Sequence, residues 1–265
     1  MDIPFARWYH AVDKRISRRS FDATRPIEPD ILMSLDNVCR TFTPYPEARI
    51  YLLNNPRVDI FRGLLGGYGK VKDAPAFIAF IGDMRSQHVQ EAVGYTGEGI
   101  ILEATALGLA TCWVGGFFSR STVASLMEIK SFEKVLSVTP VGYARHRISI
   151  EEQTMSVYGR NRQRLPLSKL VRGSDLAILP TWVQAALQSA RLSPSAMNRQ
   201  PWGFEVLENE VTVYLRSFEP QLTISKRLDC GIAMLHIEVA AGYHGVKGRW
   251  DLLPSPRVAR FNVIK

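Results

Sequence analysis

The sequence predicts an α+β fold in one domain that consists of two related halves, residues 1–172 and 173–265. Helix-like and strand-like segments alternate along the 265 residues, of which 46% are hydrophobic, enough for one sizeable core. The order of helix, strand, small-residue helix and tryptophan occurs twice, with no long linker or low-complexity segment between the copies. The matching helix ends and tryptophans are Gly108 with Trp113 and Gly245 with Trp250.

The first element predicted in the first half is an amphipathic helix. Apolar side chains at helical spacing predict this helix over 27–39, and its start carries the acids and the proline that helix N-termini prefer. Three later segments are rich in β-branched and aromatic residues and are predicted to be strands: 48–54, 74–82 and 136–144.

A helix pattern over 95–109 lies between the last two of these strands. It contains Ala104, Ala106 and Gly108, whose small side chains permit close helix packing. We therefore expect this helix to be buried at the centre of the molecule.

The second half repeats this plan. An amphipathic helix is predicted over 179–191, and a second small-residue helix begins near Cys230. Between them, 203–209 and 210–217 predict two strands joined by a hairpin turn at 208–210.

Composition excludes several classes of protein. The longest apolar run, 74–82, is far shorter than the ~20 residues of a membrane helix. The N-terminal segment lacks the order of charge and apolar residues of a secretory signal. Cys39, Cys112 and Cys230 lie far apart, which favours a reduced cytoplasmic setting over a disulfide framework or a zinc site.

The formal net charge of +8 favours anionic ligands as well as solubility. Two dense basic segments carry much of this charge, Lys14 to Arg19 and Gly159 to Arg164. Each is either a solvated basic turn or a phosphate-binding segment, because guanidinium groups present paired donors that match phosphate oxygens.

The segment 193–202 concentrates hydrogen-bonding side chains between two prolines. Pro194 and Pro201 restrict the backbone, which lowers the entropy lost when a ligand is bound. Either this segment grips a ligand, or it is a helix stop and a turn with Trp202 as a core anchor.

The segment 111–118 contains an adjacent pair of glycines, Gly115 and Gly116. Such a pair is either a turn or a place where backbone N–H groups approach a planar ligand. Phe117 and Phe118 follow it and are explained equally well as pocket lining or as core. The sequence lacks the motifs of Rossmann dehydrogenases, P-loop NTPases, zincins and α/β-hydrolases.

Taken together, these segments resemble the FMN-dependent nitroreductase family. The basic opening signature is met by Arg15, Ser17, Arg19 and Phe21. The proline loop of the family is met by Pro194, Ser195, Asn198, Gln200, Pro201 and Trp202. The helix end with its glycine pair is met by Gly108, Leu109, Trp113, Gly115 and Gly116. A late basic element is met by Arg162, Arg164 and Pro166.

The order of these motifs resembles a particular subgroup. The proline loop usually follows the first helix, but here that place, 38–53, has lost the serine and the asparagine, and the loop occurs in the second half. The sequence looks like the subgroup in which the two subunits of a dimer became one chain. The resemblance implies mainly antiparallel sheets flanked by helices around a small-residue central helix pair, and a monomer that acts as an internal pseudo-dimer.

The resemblance also implies a site for FMN that the two halves enclose face to face. Its phosphate and ribityl chain would be held by Arg15, Ser17, Arg162 and Arg164. Arg19 would lie near the pyrimidine edge, and the backbone N–H groups of Gly115 and Gly116 near the flavin N5. Pro194, Ser195 and Asn198 would close the other side. Lys70 matches a further family lysine, whereas Gly67 stands where many members have asparagine.

The function implied is an FMN-dependent oxidoreductase that transfers hydride from NADH or NADPH to a small planar acceptor, such as a nitroaromatic or a quinone. The chemistry would take place on the flavin in a ping-pong reaction, without a catalytic side chain and without a metal. Two alternatives are a flavin-binding or flavin-storage protein without turnover and a nucleic-acid-binding module. The second is disfavoured because the basic segments lack interleaved aromatic residues.

Overall fold

The computed structural model describes residues 1–56, 58–61, 71–146, 163–207, 210–216 and 224–264. The helices in these ranges are α1 (Phe5–Lys14), α2 (Pro29–Thr41), α3 (Val89–Ala106), α4 (Arg120–Ser125), α5 (Leu167–Leu170), α6 (Thr181–Arg191) and α7 (Lys226–Tyr243). Single 3-10 turns occupy Leu176–Ile178 and Ala196–Asn198. The strands are β1 (Ala48–Asn54), β2 (Ala76–Asp83), β3 (Ala110–Thr111), β4 (Glu133–Gly142), β5 (Val171–Arg172), β6 (Trp202–Leu207), β7 (Glu210–Leu215), β8 (Gly248–Leu252) and β9 (Arg257–Val263).

The strands form two sheets. The first has the order β1-β2-β4-β3 and is antiparallel throughout. The second has the order β5-β6-β7-β9-β8, in which the short β5–β6 pair is parallel and the other pairs are antiparallel. Apart from β5, the two sheets therefore have the same strand order relative to the sequence. The predicted α+β class with mainly antiparallel sheets is confirmed.

Helices α3 and α7 cross each other at the centre of the molecule, and their glycines make the crossing close. A Cβ built on Gly94 would lie 2.1 Å from the carbonyl oxygen of Leu228, and one built on Gly231 would lie 2.2 Å from the carbonyl oxygen of Glu91. The backbones of the two helices are thus in contact, as the small residues of both segments predict.

The two central helices also end in the same way. Gly108 follows α3 with a φ of +82°, and Gly245 follows α7 with a φ of +79°, a conformation that glycine adopts without steric cost. In both turns the residue after the glycine donates its N–H to a carbonyl five residues earlier, from Leu109 to Ala104 and from Val246 to Ala241. The glycine–tryptophan pattern seen in the sequence therefore has a common structural basis.

Most predicted elements lie within a few residues of their expected place. Strand β1 coincides with its prediction, whereas α3 begins before the predicted 95–109 segment and α2 is displaced toward the C-terminus. Elements that we did not predict are α1, β8 and β9 and the short elements β3, α4, α5 and β5. Residues 208 and 209 of the predicted hairpin turn lie outside the described residues.

None of the described helices is both long enough and apolar enough to cross a membrane.

Candidate functional site

The first arm of the site is the basic segment that follows α1. Helix α1 ends at Lys14, and the side chain of Arg15 turns inward, with 7% of its area exposed. Its Nε lies 3.7 Å from Oε1 of the buried Glu98 on α3. That Nε is buried and makes no hydrogen bond to the described part of the chain. Arg15 is therefore a buried cation whose Nε–H has no acceptor in the described part of the chain.

The residues after Arg15 run beside the glycine-containing segment. Ser17 forms a bridge with Thr111, and the N–H of Arg18 donates to the carbonyl of Thr111 at 2.9 Å. The Ser17 side chain is exposed and Arg19 is half-buried. The backbone of this arm is thus fixed against β3, while the Ser17 hydroxyl faces solvent.

The second arm is formed by Arg164 and the proline loop, 193–202. Nη1 of Arg164 donates to Oδ1 of Asn198 at 2.6 Å, and Nη2 donates to the carbonyl of Leu192 at 3.3 Å. The amide of Asn198 in turn donates to the carbonyl of Gln163 at 2.8 Å. These bonds orient Arg164 on the inner side of the loop.

The two arms meet at their arginines. Burial, together with the positive charges of Arg15 and Arg191, lowers the pKa of Arg164 to about 10. The charges of Arg15 and Arg164, both in the first half, therefore repel each other beside the proline loop of the second half. The contact of Arg164 with Asn198 joins the two halves at this point, and the predicted flavin site stays a prediction.

The proline loop has an unusual backbone. Met197, Asn198 and Gln200 adopt φ values of 51°, 54° and 46°, each in the left-handed region. Such values cost a non-glycine residue about 1–3 kcal/mol, so the surrounding structure must hold the loop. Ser195 contributes by accepting the N–H of Gln200 at 2.9 Å through its Oγ, and it therefore has a structural task inside the loop.

A buried carboxylate also anchors this loop. Asp229 of α7, with 2% of its side chain exposed, accepts the Nε–H of Arg199 at 2.7 Å and the backbone N–H of Ala196 at 3.2 Å. Burial raises the pKa of Asp229 to about 6, although Arg199 acts in the opposite direction. The loop is thus tied to the N-terminal end of a central helix.

The glycine pair lies close to the second half. A Cβ built on Gly115 would lie 2.7 Å from Cδ1 of Ile224, whose carbonyl accepts Nη2–H of Arg199 at 3.0 Å. A side chain at 115 would therefore displace the end of the Ile224 side chain, a contact that the sequence did not reveal. Phe118 is buried in the core, whereas 41% of Phe117 is exposed. Of these two phenylalanines, Phe117 is the one available to a ligand.

Two predicted binding residues, Lys70 and Arg162, lie outside the described residues, as does Gly67. Pro194 is buried within the loop.

The sequence analysis missed the buried polar residues behind the site. Glu98 and His236 are fully buried and in contact, with Oε1 and Nε2 3.0 Å apart. The second carboxylate oxygen of Glu98 accepts the indole N–H of Trp113 at 2.7 Å. Their signal in the sequence is an ionisable residue inside a helix that is otherwise small and apolar, a pattern that also holds for Asp229.

The residues that meet here fit an anionic group with phosphate chemistry. The buried guanidinium of Arg15 and the half-buried guanidinium of Arg164 repel each other, and the nearby carboxylate of Glu98 is also engaged with His236 and Trp113. A phosphate would accept hydrogen bonds from both arginines and would offset their mutual repulsion. Asn198 adds an amide beside Arg164.

Comparison with known proteins gives a family and a fold that extend over most of the chain. A family model described as "Putative TM nitroreductase" matches residues 7–241. A crystal structure described as a putative nitroreductase from Thermotoga maritima is 19% identical, with 97% of this chain and 93% of that chain covered at a TM-score of 0.65. No curated protein matches the chain.

Two further solved structures are similar over a shorter part of the chain. A nitroreductase family protein from Clostridium difficile 630 is 20% identical, with 63% of this chain and 98% of that chain covered at a TM-score of 0.47. An FMN-dependent nitroreductase from Clostridium difficile R20291 is 19% identical, with 52% and 87% covered at a TM-score of 0.43. The nitroreductase-like fold itself follows from the Thermotoga maritima structure, which covers both halves.

Proposed function

The chain belongs to the family described as putative TM nitroreductase, whose model matches most of its length, and from this premise we propose that it is an FMN-dependent oxidoreductase. The proposed reaction takes hydride from NADH or NADPH and passes it to a small planar acceptor such as a nitroaromatic or a quinone. The observation that carries the proposal is the positive charge gathered beside the proline loop: Arg15 is buried, Arg164 is half-buried, the two guanidinium groups repel each other, and Arg164 bonds Asn198 of the second half.

The proposed binding roles follow the two arms. Arg15 and Arg164 hold the FMN phosphate, with Ser17 adding a hydroxyl and Arg162 a further cation. Arg19 and Lys70 supply positive charge toward the flavin ring. Residues of the glycine pair and of the proline loop enclose the ring from its two sides: Gly115, Gly116, Pro194, Ser195 and Asn198.

The bound flavin supplies hydride transfer. The protein needs to bind and orient the flavin and the substrate and to exclude competing reactions, and it need not provide an acid or a base. The strained loop is suited to orientation, because its bonds to Arg164 and Asp229 fix it before a ligand arrives. Exposed apolar side chains occur on all three site segments, at Ile16, Phe117 and Met197. They favour a planar, weakly polar acceptor.

The proposal is tested by titrating FMN into flavin-free protein and measuring the affinity from the change in flavin fluorescence. Arg15→Ala and Arg164→Ala should each weaken FMN binding by about tenfold or more, because each removes a charged hydrogen bond of ~1.5–3 kcal/mol. The controls are Arg7→Ala and Arg172→Ala, which remove arginines whose ion pairs, with Glu103 and Glu205, lie elsewhere in the described structure. Unchanged FMN affinity in both test variants would remove the phosphate-binding assignment.

Turnover is tested separately. Under anaerobic conditions, NADH or NADPH should bleach the flavin absorbance, and a nitroaromatic or a quinone should restore it. Slow reduction with no dependence on an acceptor would identify a flavin carrier and overturn the enzymatic part of the proposal. A cytoplasmic location and a monomeric state stay predictions.

A further inference from the structure

The strongest unexplained feature is the buried pair of Glu98 and His236. Glu98 lies on α3 and His236 on α7, so the contact joins the two halves at the central helix crossing. Both side chains have 0% exposure, and Oε1 of Glu98 lies 3.0 Å from Nε2 of His236. Ionisable groups at this depth are costly unless they are paired, so the contact calls for a specific account.

The other partners of the pair fix where its protons are. Nδ1 of His236 lies 2.9 Å from the backbone carbonyl of Ser189, and a carbonyl oxygen only accepts, so Nδ1 carries a proton. The 3.0 Å contact between Nε2 and Glu98 then also contains one proton, because an unprotonated nitrogen and a carboxylate would both be acceptors.

This second proton belongs to the imidazole. Glu98 accepts the indole N–H of Trp113 at its other oxygen and faces the guanidinium of Arg15 at 3.7 Å. The indole hydrogen bond and the positive charge of Arg15 are both complementary to a carboxylate. A carboxylate at Glu98 next to a ring with two N–H groups makes His236 an imidazolium ion.

We propose that the ion pair of Glu98 and His236 positions Arg15 for the FMN phosphate, which makes Glu98 a positioning residue of the site. This inference rests on the proposed function. Glu98 is the carboxylate that faces Arg15, and it attracts the guanidinium while leaving its Nε without a hydrogen bond. Arg164 repels the same guanidinium. Arg15 is therefore attracted by Glu98 and repelled by Arg164, and its Nε–H stays available to a ligand.

Glu98 faces two cations, Arg15 and His236, and each of them neutralises part of its negative charge. A carboxylate neutralised wholly by Arg15 would compete with the phosphate for that arginine. Because His236 already balances Glu98, the positive charge of Arg15 stays available to the ligand. The pair therefore keeps Arg15 both oriented and uncompensated.

The first test concerns the proton and needs no flavin. Nitrogen NMR of the folded protein with ¹⁵N-labelled histidine should show both ring nitrogens of His236 protonated, with the signals assigned by their loss in His236→Gln. A neutral ring with one bare nitrogen would overturn the ion-pair account.

The second test asks whether Glu98 acts through Arg15. Glu98→Gln should weaken FMN binding by about tenfold in the fluorescence titration. Glu103→Gln is the matched control: Glu103 is also a buried acid of α3 that bonds an arginine and a tryptophan, Arg7 and Trp8. In the Arg15→Ala background, Glu98→Gln should cause little further loss.

The outcomes separate the two proposals. If Arg15→Ala weakens FMN binding and Glu98→Gln does not, the phosphate site stands and the positioning role is overturned. Full additivity of the two changes would also overturn it, since Glu98 would then act independently of Arg15. If Arg15→Ala has no effect, the proposed phosphate site itself fails. Should Glu98→Gln not fold, the NMR measurement on the unaltered protein still decides the ion-pair account.

Discussion

At the scale of single residues, the burial of Asp229 disfavours the ionised form of its carboxyl group. The carboxylate has two hydrogen-bond donors, from Arg199 and from the backbone of Ala196, yet burial still raises its pKa to about 6. The ion pair is therefore maintained at neutral pH at a cost in folding free energy. In return, the ionised Asp229 holds the proline loop, in which three residues have left-handed backbone conformations.

The pH dependence of stability should show this cost. The pKa of Asp229 in the folded state lies above 3.8, the ordinary value of an aspartate, so the folded state binds the proton more tightly than the unfolded chain does. Its contribution is present below pH ~4 and is lost as the pH rises through about 6, amounting to about 3 kcal/mol. We expect Asp229→Asn to reduce the difference between the unfolding free energies measured by urea titration at pH ~4.5 and pH ~7.

The exposed Asp251→Asn serves as a control that should leave this difference unchanged. If Asp229→Asn also leaves it unchanged, another group governs the stability in this range of pH.

Single residues also mark the limit of prediction from sequence. Arg15, Arg164 and Asn198 were predicted as binding residues and do meet in the structure, because motif spacing carries that information. Glu98 and His236 were not predicted. Their importance depends on burial and on contacts between distant segments, and neither is visible along one chain.

At the scale of elements, the proline loop carries strain that can be measured. Met197 has a φ of 51° and its side chain is 90% exposed, so little packing offsets its backbone conformation. Met197→Gly should raise the free energy of unfolding by about 1 kcal/mol, because the relief of strain exceeds the added entropy of the unfolded chain.

The matched control is Met33→Gly, an exposed methionine within helix α2, which should lower the free energy of unfolding by about 1 kcal/mol. Equal losses from both changes would mean that Met197 is not strained in solution.

The crossing of α3 and α7 makes a second element-scale prediction. A methyl group on Gly94 or Gly231 would lie within 2.2 Å of a backbone carbonyl oxygen of the other helix, which cannot rotate away. Gly94→Ala and Gly231→Ala should each lower the free energy of unfolding by about 3 kcal/mol, as measured by urea denaturation.

For comparison, a Cβ on Gly173 meets nothing within 4 Å, and its φ of +81° is the sole obstacle to a side chain. Gly173→Ala should therefore cost about 1 kcal/mol. A similar small cost at Gly94 would show that the helices separate easily.

At the scale of the whole molecule, the central contacts are reciprocal. Gly94 meets the carbonyl of Leu228 while Gly231 meets that of Glu91, so in each helix the glycine lies three residues after the carbonyl that the other glycine meets. Reciprocal contact is the property of an interface between two equivalent units. Together with the shared strand order of the two sheets, it supports the predicted division into two related halves.

Sequence patterns predicted much of this architecture because helical and strand periodicity are local. They did not predict how β8 and β9 complete the second sheet, since that pairing depends on residues far apart in sequence. The missed helix α1 has a different cause. Its buried residues Trp8, Ala11 and Val12 do lie at helical spacing, but the polar residues between them obscured the pattern.

The difference between the halves leads to a last prediction, a single flavin per chain. In the second half the connection from α6 to β6 spans 192–201 and contains most of the proline loop. The corresponding connection in the first half, from α2 to β1, spans only 42–47. That shorter connection packs aromatic rings together: Phe42 lies 6.3 Å and Tyr45 lies 5.2 Å from the ring of Tyr95. No counterpart of Asn198 is available there to orient an arginine.

We therefore expect FMN titration to saturate at one flavin per chain, and sedimentation of the flavin-bound protein to give the mass of a monomer. In a dimer whose arginines and proline loops came from different chains, mixing Arg15→Ala chains with Asn198→Ala chains in equal amounts would instead create one intact site in each mixed dimer, which is about a quarter of all sites after free exchange of subunits. In a self-contained chain the same mixture recovers no site, because each chain carries one defective arm. Recovery of high-affinity binding on mixing would thus contradict a site completed within one chain.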